Sequence, residues 1–137
     1  MHKIIIKRFF DAAHQLPDSN NLITKQCASL HGHTYLVEVS CKGANKRSGM
    51  VVDFKAIKEV IDILDHKYIN DIFIEHGFGE KNTISDINYI YPSTAENIAK
   101  FLYEKIRNEY SDLDDVSIRL CEGYKGEEVS NWIEYYG

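Results

Sequence analysis

Residues 33 to 42 alternate as a strand does, with His33, Tyr35, Val37, Val39 and Cys41 on one face and Glu38, Ser40 and Lys42 on the other. His31 lies two positions before His33, so both imidazoles extend the apolar face rather than a solvated one. Residues 3 to 14 hold few helix formers and many β-branched and aromatic side chains, which predicts a first strand ending at His14. Pro17, Asp18, Ser19, Asn20 and Asn21 mark residues 15 to 26 as a loop. Gly43 to Gly49 reads as a turn, and the first two strands as a hairpin.

Two stretches change to a helical period. Asp53 is a good N-cap for a helix with Phe54, Ile57, Val60, Ile61 and Leu64 as its apolar positions, ending near Asp65-His66. Pro92 to Glu96 opens a second helix, in which Ser93 and Glu96 have capping-box spacing and Ala95, Ile98, Ala99, Leu102 and Ile106 make the stripe. The intervening Asn70 to Tyr91 is long for a connection and suits a lid or an insertion. Alternation then returns, with Val116, Ile118, Leu120 and Glu122 on one face and Ser117, Arg119 and Cys121 on the other. Gly123 to Gly126 predicts a hairpin turn and Glu127 to Tyr136 a last strand. Two strands, two helices and two strands in that order predict an α+β fold: a four-stranded antiparallel sheet with both helices on one face. At 137 residues, without a linker or a repeat, the chain is expected to be a single domain over 1–137.

Composition narrows the partners. A net charge of -5 argues against non-specific nucleic-acid binding, which needs a basic surface. No apolar run approaches the ~18 residues of a membrane span, and Ile4-Ile5-Ile6 is too short for the core of a secretory signal. The 3 cysteines are odd in number and widely spaced, which speaks against a disulfide framework and for a reducing cytoplasm.

The chemistry concentrates in Cys27-Ala28-Ser29-Leu30-His31-Gly32-His33. Imidazole is the commonest protein metal ligand and suits zinc, and two imidazoles two apart on a strand can reach one ion. With His14 at the end of a neighbouring strand, three neutral imidazoles would bind zinc and leave one position open, the mark of a catalytic site. Cys27 beside a dication could be a thiolate acting as base or nucleophile, or it could be the fourth zinc ligand. Asp65-His66 reads equally as a carboxylate-oriented proton shuttle or as a cationic helix C-terminus. Glu122 ends an apolar stripe, where it either anchors an N–H-bearing heterocycle or pairs with a Lys or Arg.

Taken together these pieces resemble the 6-pyruvoyltetrahydropterin synthase family, whose bacterial members include the 6-carboxytetrahydropterin synthase of queuosine biosynthesis. The matching stretches are Phe10-Asp11-Ala12-Ala13-His14, Cys27-x-x-x-His31-Gly32-His33, Gly49-Met50-Val51-Val52-Asp53-Phe54, Leu64-Asp65-His66-Lys67-Tyr68-Ile69-Asn70-Asp71, Pro92-Ser93-Thr94-Ala95-Glu96-Asn97 and Glu122. They follow the family order over nearly the whole chain. The resemblance implies the tunnelling (T-fold) architecture, in which sheets from several subunits close into a barrel. It also implies a trimer-based homo-oligomer, up to a hexamer, with active sites between subunits.

The same resemblance implies site roles. His14, His31 and His33 would be the zinc ligands, Cys27 the catalytic base, Asp65 and His66 the rest of a proton relay, and Glu122 the anchor of the pterin ring. The implied substrate is 7,8-dihydroneopterin triphosphate, a small molecule. The three-residue gap between Cys27 and His31 resembles the carboxy-forming branch, a lyase that releases acetaldehyde and triphosphate on the way to queuosine. The pyruvoyl-forming branch and a non-catalytic zinc- or pterin-binding protein are the alternatives. Two features depart from the family pattern: Ile72 to Tyr91 is longer than usual, and Gly123 stands where Thr is common. Lys25 is one guess for a triphosphate-binding cation.

Overall fold

The computed structural model describes residues 1–17, 28–85 and 88–137. The sheet is built on two long strands, β1 (His2–His14) and β2 (His31–Gly43), paired antiparallel over their full lengths. β2 pairs in turn with β6 (Asp115–Glu122), and β6 with β7 (Trp132–Tyr135), both antiparallel. The predicted hairpin of the first two strands is present, but the segment after His14 joins them. Gly43 to Gly49 instead leads from β2 toward the first helix.

The helices cover one face. α1 (Phe54–Ile61) is capped by Asp53, whose carboxylate accepts from the Lys55 N–H at 2.9 Å, as the sequence predicts. It ends at Ile61, earlier than expected, and tight turns carry the chain from Ile61 to Asp65. Ile57, Val60, Ile61 and Leu64 are buried, whereas Phe54 of the expected stripe is exposed. Arg8 ties β1 to the end of this helix through two bonds to Asp62, at 2.7 and 3.0 Å. α3 (Ala95–Glu109) buries Ile98, Ala99, Phe101, Leu102 and Ile106 against β6 and β7. Its N-cap is Thr94, which accepts from Asn97 N–H at 3.3 Å; Ser93, the expected cap, is fully buried and bonded elsewhere.

The core lies between these helices and the facing side chains Ile6, Phe10, Tyr35, Val37, Val39, Val116, Ile118 and Leu120. Burying such apolar surface is the main force holding the layers together. The other face of β1 leaves Ile5 and Phe9 exposed.

The α+β class and the helix-backed sheet agree with expectation, and three details differ. A two-residue strand, β3 (Lys67–Tyr68), joins the sheet parallel to β1, giving five strands in the order β3-β1-β2-β6-β7. The stretch read as a long connection contains a short helix, α2 (Ile69–Glu75), and a separate hairpin of β4 (Gly79–Lys81) with β5 (Asn88–Ile90). The last strand begins only at Trp132, because residues 127–129 form a turn. Period-two alternation does not mark such short strands, which form only against a partner.

Candidate metal centre and cleft

Register builds the site. His14 stands directly across from His31 in the β1–β2 ladder, and His33 is two residues further along β2 on the same face. In the β2–β6 ladder Tyr35 pairs with Glu122, so the carboxylate falls beside His33. The three ring centroids lie 4.5 to 5.2 Å apart. One oxygen of Glu122 is 3.0 Å from His14 Nε2 and 2.7 Å from His33 Nε2. The ligand atoms of His14, His31, His33 and Glu122 all lie within 4.8 Å of one another, so this set could hold a metal ion.

Hydrogen bonds turn the rings toward that point. His14 Nδ1 is 2.7 Å from the Ser93 carbonyl and His31 Nδ1 is 2.6 Å from the Ser29 carbonyl. A carbonyl only accepts, so each Nδ1 carries the proton and each Nε2 is left with a lone pair when the ring is neutral. Backbone carbonyls in this role are the usual outer partners of metal-binding imidazoles. His14 is 1% exposed, and its buried Nε2 makes no hydrogen bond among the described residues, although the Glu122 oxygen lies 3.0 Å away.

The electrostatics agree. Burial works against the charged form of His14, but Glu122 and the Ser93 carbonyl outweigh it and raise its pKa. Burial dominates at His33 and lowers it. The Glu122 carboxyl is pushed down, chiefly by its contact with His14. A lone pair and a carboxylate at this distance need a positive charge between them, either a proton or a cation. An N₃O donor set of borderline softness suits zinc, so the residues fit the implied metal.

The cluster borders a cleft of about 950 Å³ whose lining includes Leu16, His31, His33, Glu96, Glu122 and Trp132. Such a volume suits a small organic ligand. The sequence reading missed Glu96 by giving it to the helix cap. Thr94 caps the helix by accepting from the Asn97 N–H, which leaves Glu96 out of the cap and in the cleft lining; Thr94, itself a good N-cap residue, was the signal available.

Asp65 and His66 are not part of the histidine cluster. They form a separate group with Asp11 at the edge of the sheet. Asp65 Oδ1 accepts from the Asp11 N–H at 3.0 Å, and the His66 N–H donates to the Asp11 carbonyl at 2.7 Å. The Asp11 side chain accepts from Thr34 Oγ1, and both side chains belong to the face opposite the histidines. α1 ends at Ile61 with Asp62 as its C-cap, so His66 is not the helix-terminal residue considered above; its φ is 58°. Among the described residues Glu122 contacts histidines rather than a Lys or Arg. Cys27 and Lys25 lie outside the described residues. Cys41 and Cys121 are buried and free, and burial pushes the Cys41 thiol up to about 11.

A sheet backed by helices, with three histidines and a carboxylate gathered beside a small-molecule cleft, defines an α+β protein with a metal-competent site. The chain belongs to the 6-pyruvoyl tetrahydropterin synthase family, whose sequence profile matches residues 3–137. It is 32% identical over 136 residues to the 6-carboxy-5,6,7,8-tetrahydropterin synthase of Haemophilus influenzae, covering 89% of this chain and 93% of that one. It is 30% identical over 137 residues to the dihydroneopterin monophosphate aldolase of Pyrococcus furiosus, covering 97% of both. Among solved structures, the 6-pyruvoyl tetrahydropterin synthase of Caenorhabditis elegans superposes with a TM-score of 0.58 at 26% identity, covering 100% of this chain and 97% of that one.

Proposed function

We propose that the protein is a zinc-dependent carbon–oxygen lyase that converts 7,8-dihydroneopterin triphosphate and one water molecule to 6-carboxy-5,6,7,8-tetrahydropterin, acetaldehyde and triphosphate. The observation that carries the reading is the convergence of His14, His31, His33 and Glu122 beside the cleft, with two rings locked as Nδ1–H tautomers. The relative in Haemophilus influenzae, named for this activity, supports the carboxy branch over most of both chains. The place of the product in queuosine biosynthesis is part of the same proposal.

His14, His31 and His33 would hold the zinc through Nε2. Bound there, zinc supplies a Lewis acid that acidifies the side-chain hydroxyls of the pterin. Glu122 would accept hydrogen bonds from ring N–H groups, a charge-assisted pair that fixes the ring in the cleft. To do so its carboxylate must turn away from His14 and His33. Cys27 would take a proton from the substrate side chain as its base. Asp65 and His66 would complete the relay. Because they cluster with Asp11 rather than with the histidines, we assign them to the site of a neighbouring subunit in a homo-oligomer.

The test is product analysis. Purified protein is incubated with 7,8-dihydroneopterin triphosphate, with and without a zinc chelator, and the pterins are identified by mass. The expected result is a 6-carboxypterin species with acetaldehyde, abolished by the chelator. A pyruvoyl product would move the protein to the other branch, and an aldol-cleavage product would put it with the Pyrococcus furiosus relative. No turnover by zinc-loaded protein would favour a binding protein with Cys27 as fourth ligand.

A further inference from the structure

We infer that the side chain of Asn70 is a positioning residue for the metal centre: it holds the backbone that follows His14, through Gln15, and the residue whose carbonyl restrains the His14 ring, Ser93. The inference rests on reading the histidine cluster as a metal site and extends it to a residue with no metal-ligating chemistry of its own.

The hydrogen bonds converge on one side chain. Asn70 Oδ1 accepts from Ser93 Oγ at 2.8 Å and from the Gln15 N–H at 3.1 Å. Asn70 Nδ2 donates to the Gln15 carbonyl at 2.8 Å. One amide therefore clamps the backbone of the residue that follows His14 and the side chain of the residue whose carbonyl accepts from His14 Nδ1. Ser93 is 0% exposed and His14 is 1% exposed, so neither can exchange a lost partner for bulk water.

The other restrained ligand differs. His31 is held by Ser29, only two residues away, in a contact that local chain geometry provides. His14 is held across 79 positions by Ser93, and Asn70 bridges the gap from a third segment, 55 positions from Gln15 and 23 from Ser93. Without the amide, Ser93 Oγ keeps only its long contact to the Gln15 carbonyl at 3.5 Å, and its loop loses the shorter bond that aims the Ser93 carbonyl. The His14 ring can then rotate its Nε2 away from the common point.

The experiment compares full-length wild type with Asn70→Ala, Asn70→Asp and Ser93→Ala. Val116→Ala, a cavity in the core near the end of β6 opposite Glu122, serves as the destabilised control. Zinc affinity is measured by competition with a chromogenic chelator, and site geometry from the visible absorption of the cobalt-loaded protein. Asn70→Ala is expected to bind zinc about 10–100-fold more weakly, the usual effect of losing an outer-shell partner, with an altered cobalt spectrum. Asn70→Asp keeps an acceptor for Ser93 Oγ and Gln15 N–H and should recover part of the affinity. Ser93→Ala cuts the same link from the other side with less structural loss, and should fall between Asn70→Ala and wild type even if Asn70→Ala folds poorly. Val116→Ala should melt earlier yet bind zinc as wild type does.

Asn70→Ala and Ser93→Ala binding zinc as tightly as Val116→Ala, with the wild-type cobalt spectrum, would overturn the inference and leave Asn70 a purely structural tie. A wild-type protein that takes up no metal would overturn the metal-centre reading and this inference with it. Neither readout requires turnover, so a failure of the proposed lyase activity is seen separately.

Discussion

One carboxylate oxygen of Glu122 lies 2.7 Å from Nε2 of His33, on the side of the ring where a metal would bind. Glu122 therefore has two incompatible uses, as a fourth donor to the ion and as the acceptor for a heterocycle. In Glu122→Gln the charge is lost while the shape remains. We expect zinc at full stoichiometry on the three histidines, and pterin binding weaker by about 10–100-fold, the worth of a charged hydrogen bond. Metal analysis and calorimetry with a pterin read the two separately. A Glu122→Gln protein isolated without zinc would make the residue a ligand and remove it from ring recognition.

Asp65 and His66 sit with Asp11, apart from the histidine cluster, and the relay as proposed crosses between subunits. Cys27→Ala and His66→Ala are each expected to be inactive alone. If both variants are unfolded together and refolded as a mixture, about a quarter of the sites should combine an intact cysteine with an intact neighbouring relay. Activity of the mixture near that fraction supports shared sites. A mixture as inactive as its parents would confine the relay to one chain.

His66 adopts φ of 58°, a region that costs side chains with a Cβ energy and that glycine enters freely. Strain of this kind persists where function needs the side chain. His66→Gly should be no less stable than wild type, and up to about 1 kcal/mol more, while turnover is lost. Chemical denaturation and a single-turnover assay check the two halves. A variant that keeps its activity would end the assignment of His66 to the relay.

On the exposed side of the sheet Glu38 is clamped by Lys7 at 3.0 Å and Arg119 at 3.2 Å. Burial would raise its pKa, but these two partners outweigh burial and the net direction is down. A carboxyl depressed in the folded state contributes stability above its unfolded pKa of about 4.3 and loses it as pH falls through the lower folded value. Glu38→Gln should therefore cost roughly 1 kcal/mol at pH 7, and the gap to wild type should close below about pH 4. Denaturation curves of both proteins across that range show it. A gap that stays constant with pH would mean that packing, not charge, sets the cost.

Much of the fold and half of the site were legible in the chain. Alternation along Tyr35, Val37, Val39 and Cys41 marks the buried face of β2, and it carries His31 and His33 onto that face because side chains repeat every second residue. Asp53 could be read as a cap because its bond to Lys55 spans two residues. Ser93 misled because its spacing to Glu96 is right, while its burial and its bond to Asn70 are not local properties. The hairpin of β4 and β5 left no alternation to read, since each strand is only three residues long.

What the sequence determined by itself is therefore what short-range periodicity encodes: the long strands, the two amphipathic helices, and a pair of imidazoles on one apolar face. Tertiary structure alone decided that His14 stands opposite His31, that Glu122 reaches the histidines, and that Asp65 and His66 gather with Asp11 instead of with them. Each of those outcomes depends on strand register or on contacts between residues 54 or more positions apart. Such pairings are selected by burial of the whole sheet against its helices, an energy that no local stretch of the chain contains.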